Sequence, residues 1–390
     1  MSFTRISPFL TLALLGTTAS LGLALAQGLQ APPVASPEVL PDHRVVFRIW
    51  APKAEEVILR GDWMQGTAVE RLIKGDDGVW SITVGPLRPD YYSYTLVVDG
   101  VRTLDPQNPE IKQGVRSVDN MFFVPGPEAE YQALKTVPHG QIRKIWYEST
   151  TLGGTRRMHV YTPPGYDQSG ARYPVLYLLH GGGDDDSGWS TIGRAGLILD
   201  NLLAAGKARP MLIVMPNGSI PLPPDLPRFT PGQSPPEAFT RAMNEAQQKF
   251  VSELMRDVIP YVEKNLRAAA TAESRAIAGL SMGGGHTLSV FSSHPGEFAY
   301  VAIWSAGLWR DPEGWEEAHR DFLQRAKDLP GLRLLLIQVG EDDFALPGAR
   351  ALSELFKKYG IAHEFRLSGG GHTWLNWRAY LHELLPRLFR

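Results

Sequence analysis

Gly279-Leu280-Ser281-Met282-Gly283-Gly284 constrains this chain more than any other stretch. The apolar run Ala276-Ile277-Ala278 leads into it, and a helix-compatible segment from His286 to Ser293 follows. A Gly-x-Ser-x-Gly pattern in that setting predicts a strand, a sharp turn carrying the serine, and then a helix. The flanking glycines matter because in so tight a turn a Cβ at either place would strike a neighbouring element. The strained turn holds the Ser281 hydroxyl clear of the backbone, and the helix N-terminus behind it favours developing negative charge.

The segments around this turn extend the pattern. Pro174 to His180, Met211 to Pro216, Arg275 to Leu280, Tyr300 to Ser305 and Arg333 to Val339 are apolar runs of strand length. Amphipathic stretches at 245–266, 315–328, 348–359 and 374–389 alternate with them. Fully apolar strands between amphipathic helices predict a mostly parallel, doubly wound sheet covered on both faces over 141–390. Ahead of it, Arg44 to Val124 reads differently. Short strand patterns such as Val45 to Trp50, Val79 to Val84 and Tyr92 to Val98 are separated by turns such as Asp76-Asp77-Gly78 and Asp99-Gly100. That spacing predicts a small immunoglobulin-like β-sandwich over 43–124. Residues 27–42 and 125–140 read as linkers, the first a Pro- and Ala-rich tether. The proline-rich stretch 220–236 follows a strand end, where such sheets place their sites, and reads as a rim loop or an irregular connection.

Composition excludes several classes. A net charge of −2 supplies no basic field for nucleic acid. The absence of cysteine removes disulfides and thiol nucleophiles. Arg5 followed by the apolar stretch Phe9 to Leu25 and by Ala24-Leu25-Ala26 reads as a signal peptide over 1–26, which predicts a secreted or periplasmic protein with no stable membrane association after cleavage. The run Asp184-Asp185-Asp186 is an acidic loop tip, and no His/Cys cluster has ligand spacing, so neither metal nor cofactor is expected.

A serine hydroxyl needs a base within hydrogen-bond reach and an acid to orient that base. In α/β-hydrolases the chain order is Ser, then Asp or Glu, then His. Downstream of Ser281, the strand ending at Val339-Gly340 runs into Glu341, Asp342 and Asp343. Asp343 is the choice for the acid, Asp342 the second and Glu341 the third. The base is His372, in Ser368-Gly369-Gly370-Gly371-His372-Thr373-Trp374, where the glycines let the loop swing toward the serine. His286, His294, His319, His363 and His382 sit in or beside predicted elements and read as packing or surface residues. Two backbone N–H groups should bind an oxyanion. One is Met282, and the other lies in His180-Gly181-Gly182-Gly183, with Gly182 preferred and Gly181 next.

Residues 141–390 resemble the esterase-D-type α/β-hydrolases. That group holds the feruloyl and acetylxylan esterases of carbohydrate esterase family one, the enterochelin esterases and the mycolyltransferases. The matching segments are Tyr161-Thr162-Pro163-Pro164-Gly165-Tyr166, Tyr173 to Gly181, Asp257 to Glu263, Ala278 to Gly284 and Gly371-His372-Thr373-Trp374. The resemblance implies a Ser281, Asp343 and His372 triad. In the family pattern the acid is the third residue after a glycine, which favours Asp343 over Asp342. Residues 43–124 resemble a family 48 carbohydrate-binding module or the related early-set domain. Val46 to Pro52, Asp77-Gly78-Val79-Trp80, and Val97-Val98-Asp99-Gly100 with Asp105-Pro106 carry that likeness. Two features depart from the glycogen-binding members: Val101-Arg102 stands where they carry a tryptophan, and Gly61-Asp62-Trp63-Met64 replaces their Phe-Asn-x-Trp loop.

Together these features predict a secreted serine esterase that removes acyl groups, hydroxycinnamoyl in the leading reading, from plant polysaccharide or its oligomers. Trp374, Trp309 and Trp63 are candidates for substrate contact, each weighed against a packing role. The competing readings are an acetylxylan-type esterase, a siderophore esterase, an acyltransferase to a sugar hydroxyl, and a non-catalytic binding protein.

Overall fold

The computed structural model describes residues 32–64, 68–115, 117–226, 236–308 and 311–390. The segment read as a signal peptide, Trp309 and residues 227–235 lie outside the described residues.

The N-terminal unit is a β-sandwich. Its strands are β1 (Glu38–Val39), β2 (Val45–Trp50), β3 (Val57–Gly61), β4 (Glu70–Arg71), β5 (Ile73–Lys74), β6 (Val79–Val84), β7 (Asp90–Val98), β8 (Val101–Thr103), β9 (Ile111–Gln113) and β10 (Val118–Val124). One sheet has the order β1-β2-β6-β5, and the other β4-β3-β7-β10-β9 with β8 on β7. Alternation along the strands turns Val45, Phe47, Val57, Leu59, Tyr94, Leu96, Phe122 and Val124 into one core between the sheets. Two stretches expected as solvated linkers are partly structured. Glu38 and Val39 pair with Val46 and Val45, and Ser36 just ahead of them is buried and donates to Asp105 at 2.5 Å. Pro127–Gln132 forms a 3-10 turn whose Ala129 and Gln132 are buried, the latter donating to Asp90 at 2.6 Å.

The C-terminal unit is built on an eight-stranded sheet of β11 (Gln141–Ser149), β12 (Gly154–Thr162), β13 (Val175–Leu179), β14 (Leu212–Pro216), β15 (Arg275–Leu280), β16 (Tyr300–Trp304), β17 (Leu334–Gly340) and β18 (Glu364–Ser368). Its order is β11-β12-β14-β13-β15-β16-β17-β18. Every pairing from β14 to β18 is parallel, and β11 and β12 add antiparallel strands at one edge. The five parallel strands predicted as apolar runs are all present. The β11–β12 hairpin was not read as strands, because its first strand alternates exposed and partly buried residues instead of running apolar. The Ser281 strand, β15, lies centrally between β13 and β16, and its residues from Ala276 to Leu280 are buried.

Helices cover both faces, so two apolar clusters flank the sheet. One is built on Tyr177, Val214, Phe250, Ile277, Phe291 and Phe356, the other on Leu176, Ile213, Trp189, Trp304, Trp377 and Leu381. Tyr91 and Met121 of the N-terminal sandwich belong to the second cluster, so the two units share a core. The stretch 245–266, expected as one helix, is Glu237–Glu253 joined through a π turn to Ile259–Asn265. The stretch 315–328 is two short helices, Pro312–Ala318 and Arg320–Ala326.

Candidate active site

The turn after β15 has the predicted form. Ser281 has φ 52° and ψ −115°, a region that non-glycine residues rarely occupy, and the helix Met282–Ser293 starts directly behind it. A Cβ on Gly279 would stand 2.2 Å from the Gly283 carbonyl oxygen, and one on Gly283 would stand 2.6 Å from the carbonyl oxygens of Leu179 and His180. Glycine at both places is therefore a steric demand of the strand–turn–helix junction.

Three side chains from three strand ends meet here. His372 Nε2 is 3.0 Å from Ser281 Oγ, and His372 Nδ1 is 2.8 Å from Asp343 Oδ1. Asp343 is buried, whereas Asp342 and Glu341 are exposed in the same loop. Burial pushes the Asp343 carboxyl up, but His372, the Ser305 hydroxyl and the Ala345 amide together outweigh it and hold it below its ordinary value. The Ala345 amide donates to Oδ1 at 2.8 Å. A hydroxyl, an imidazole and a fixed carboxylate in this sequence are what a serine needs to become a nucleophile.

The imidazole is also held by rings. Trp377 meets it edge-on, with centroids 5.0 Å apart at 89°, and Phe344 lies 4.2 Å away on the solvent side, 63% exposed. Trp377 Nε1 donates to Ser305 Oγ at 2.9 Å. Sequence reasoning missed Ser305 and Phe344, and it counted Trp377 only among the C-terminal tryptophans weighed between core and substrate contact. Ser305 carried a usable signal, since it follows the C-terminal end of β16, where sheets of this class gather functional groups.

The loop after β13 passes the serine. His180 is buried, and its Nε2 accepts from the Gly218 amide at 2.9 Å, so its Nδ1 carries the proton and donates to the Gly181 carbonyl at 2.9 Å. Because the peptide is planar and trans, that bond turns the Gly182 N–H to the opposite side. A Cβ on Gly181 would stand 3.5 Å from Ser281 Cβ. The Met282 N–H heads a helix and has no intrahelical acceptor.

The remaining residues singled out from sequence lie elsewhere. Trp374 is buried, edge-on to Trp189 and Trp377, so its ring serves the core under the site. Trp63 stacks on Phe47 and meets Tyr92 and Phe122 edge-on, against the core of the N-terminal sandwich. The Asp184–Asp186 run is paired with two cations: Lys112 with Asp184, and Arg157 with both Asp185 and Asp186. No group of His, Asp and Glu suited to a metal ion occurs among the described residues. Among them too, no helix is long and apolar enough to cross a membrane.

A family model described as "Putative esterase" matches residues 149–388, which contain Ser281, Asp343 and His372. The chain belongs to the esterase family. The chemistry that membership implies is carboxylic-ester hydrolysis. A second model, carbohydrate-binding module 48 (isoamylase N-terminal domain), matches residues 35–108 of this esterase, so both resemblances drawn from the sequence hold. The esterase is 31% identical over 352 residues to an endo-1,4-beta-xylanase/feruloyl esterase of Xylanibacter ruminicola, a match covering 88% of this chain and 44% of that protein. It is 28% identical over 274 residues to an esterase of Mycobacterium tuberculosis, covering 59% of this chain and 56% of the relative. The chain thus spans about half the length of the curated relatives it matches. A solved ferulic acid esterase superposes with a TM-score of 0.52 and 26% identity, covering 64% of this chain and 97% of that one. An enterobactin esterase from Shigella flexneri superposes with a TM-score of 0.62 at 17% identity, covering 89% of this chain and 93% of that one, a likeness of fold across both units.

Proposed function

We propose that this esterase hydrolyses hydroxycinnamoyl esters of plant cell-wall saccharides through a Ser281–His372–Asp343 triad, outside the cytoplasm. The observation that carries the triad is the continuous hydrogen-bond chain from Ser281 Oγ through both His372 nitrogens to Asp343 Oδ1. Support for the acyl class comes from the feruloyl esterase among the relatives and from the ferulic acid esterase structure. Support for export is the signal-like N-terminal sequence.

In this reading Ser281 Oγ attacks the ester carbonyl while His372 Nε2 takes its proton. The negative charge that develops on the carbonyl oxygen is met by the N–H groups of Met282 and Gly182, with Gly181 shaping the loop between them. Each such donor is worth about 3 kcal/mol of barrier. His372 then passes the proton to the leaving saccharide oxygen, and the acyl group stays on Ser281. Water, deprotonated by His372, attacks the acyl-enzyme; the acid leaves and Ser281 recovers its proton. Asp343 holds the imidazole in one tautomer and stabilises it when charged.

The deciding experiment is turnover of methyl ferulate and p-nitrophenyl acetate by wild type and Ser281→Ala. Ferulate hydrolysis that falls by about 10⁴-fold or more in the variant supports the proposal. Acetate turnover alone would keep the mechanism and replace the acyl class. No Ser281-dependent turnover of either ester would refute both.

A further inference from the structure

The loop after β13 is gripped by the N-terminal sandwich. The Val115 amide donates to the Gly183 carbonyl at 3.0 Å, and Gly114 forms an antiparallel bridge with Asp184. A Cβ on Gly114 would stand 2.3 Å from the Gly183 oxygen, so only glycine permits this approach. Beside it, Lys112 Nζ on β9 lies 3.0 Å from Asp184 Oδ1, with side-chain exposures of 17% and 8%. The second carboxylate oxygen, Oδ2, is 3.8 Å from where a Cβ on Gly181 would lie, and that same point is 3.5 Å from Ser281 Cβ. An unpaired Asp184 carboxylate would therefore place negative charge near the position where an oxyanion develops.

The same sandwich also braces the other side of the site. Arg378, fully buried on the helix Trp374–Leu384 that follows His372, pairs with Asp90 at 2.8 Å and donates to the carbonyls of Tyr91 at 2.6 Å and Ile192 at 2.8 Å. Tyr91 and Met121 continue this contact into the apolar cluster that holds Trp377.

Three successive glycines are costly to order, at about 1–2 kcal/mol of backbone entropy per residue. Donors lower a barrier only when they are already in place before charge develops. We infer that the N-terminal β-unit is a built-in part of the hydrolytic site, and that Lys112 is a positioning residue that orders the Gly181–Asp184 loop and neutralises Asp184. The inference rests on the triad reading above and gives this module a role in transition-state stabilisation, separate from any affinity for saccharide.

The test uses the full chain, with Lys112→Met, Lys112→Arg and Val115→Pro, the last removing the N–H that Gly183 accepts. Steady-state kinetics on p-nitrophenyl acetate are measured alongside amide hydrogen exchange over 181–188 and thermal unfolding. Lys112→Met is expected to lower kcat about 10- to 100-fold with KM within about twofold, one lost oxyanion donor being worth up to about 10³-fold. Exchange over 181–188 should quicken in both Lys112→Met and Val115→Pro, and Lys112→Arg should recover most of the lost kcat. Wild-type kcat and exchange in Lys112→Met, beside a normal loss in Ser281→Ala, would overturn the inference and leave the triad reading standing. A fall in kcat that vanishes once rates are scaled to the folded fraction would also overturn it. If the wild type shows no Ser281-dependent turnover, the triad reading fails, and the exchange data alone then decide: faster exchange over 181–188 upholds the grip on the loop, and unchanged exchange refutes it.

Discussion

Trp377 and Asp343 meet at Ser305: the Trp377 indole Nε1 donates to the Ser305 hydroxyl at 2.9 Å, and that hydroxyl is among the groups that hold the Asp343 carboxyl below its ordinary value. Burial acts to raise the Asp343 carboxyl, and the neighbouring polar groups, Ser305 among them, outweigh it. Ser305→Ala removes that hydroxyl, so the carboxyl should take up its proton at higher pH. The acid limb of the kcat/KM profile should move to higher pH, and the plateau should fall about tenfold, in line with one hydrogen bond to a charged group. A pH profile on p-nitrophenyl acetate measures both, and Trp377→Phe should shift the same limb by less.

Three adjacent carboxylates share the loop after β17, and one faces the imidazole. Asp343→Asn should cost about 10³- to 10⁴-fold in kcat, because the amide cannot hold the same imidazole tautomer. Asp342→Asn, at an exposed position, should stay within about twofold. The reverse ranking would remove Asp343 from the proposed triad.

Phe344 presents a largely exposed ring 4.2 Å from the His372 ring. An aromatic acyl group is expected to pack on this face, which an acetyl group is too short to reach. Phe344→Ala should therefore raise KM for methyl ferulate about 5- to 12-fold, consistent with loss of one aromatic contact worth about 1–1.5 kcal/mol. KM for p-nitrophenyl acetate should hardly move. Equal effects on both esters would assign Phe344 to support of His372 instead.

His286 is buried in the helix behind the serine, stacked on Phe250 at 4.4 Å. Burial, aided by the nearby His180, pushes its pKa down to about 3. The unfolded chain takes up this proton near pH 6.5, whereas the folded chain resists until about pH 3. The unfolded state therefore binds more protons across that window, and stability falls as pH drops from about 6.5 to 3. His286→Phe should flatten the dependence of Tm on pH in that window, whatever it does to Tm at neutrality. An unchanged slope would show that other groups govern acid unfolding.

Much of this protein was legible in its sequence. The turn at Gly279–Gly283 needs residues without a Cβ, the parallel strands need unbroken apolar runs, and a triad needs chemistry that few residues supply. These are local demands, and each leaves its mark within a few positions. Trp374 and Trp63 show where such reading stops. An indole packs in a core as well as it stacks on a substrate, and only the neighbours assembled around it decide between the two. Among Glu341, Asp342 and Asp343 the sequence ranked Asp343 first, and the loop turns that carboxylate inward toward His372. The contacts of Lys112 with Asp184 and of Asp90 with Arg378 had no sequence signature at all. Each joins residues far apart in the chain through the way the two units pack, and ion pairing places no constraint on sequence spacing. The sequence by itself determined the strand–turn–serine–helix, the layered sheet and the types of residue at the site. Tertiary packing decided which carboxylate faces His372, which rings enclose it, and that the N-terminal sandwich grips the loop beside Ser281.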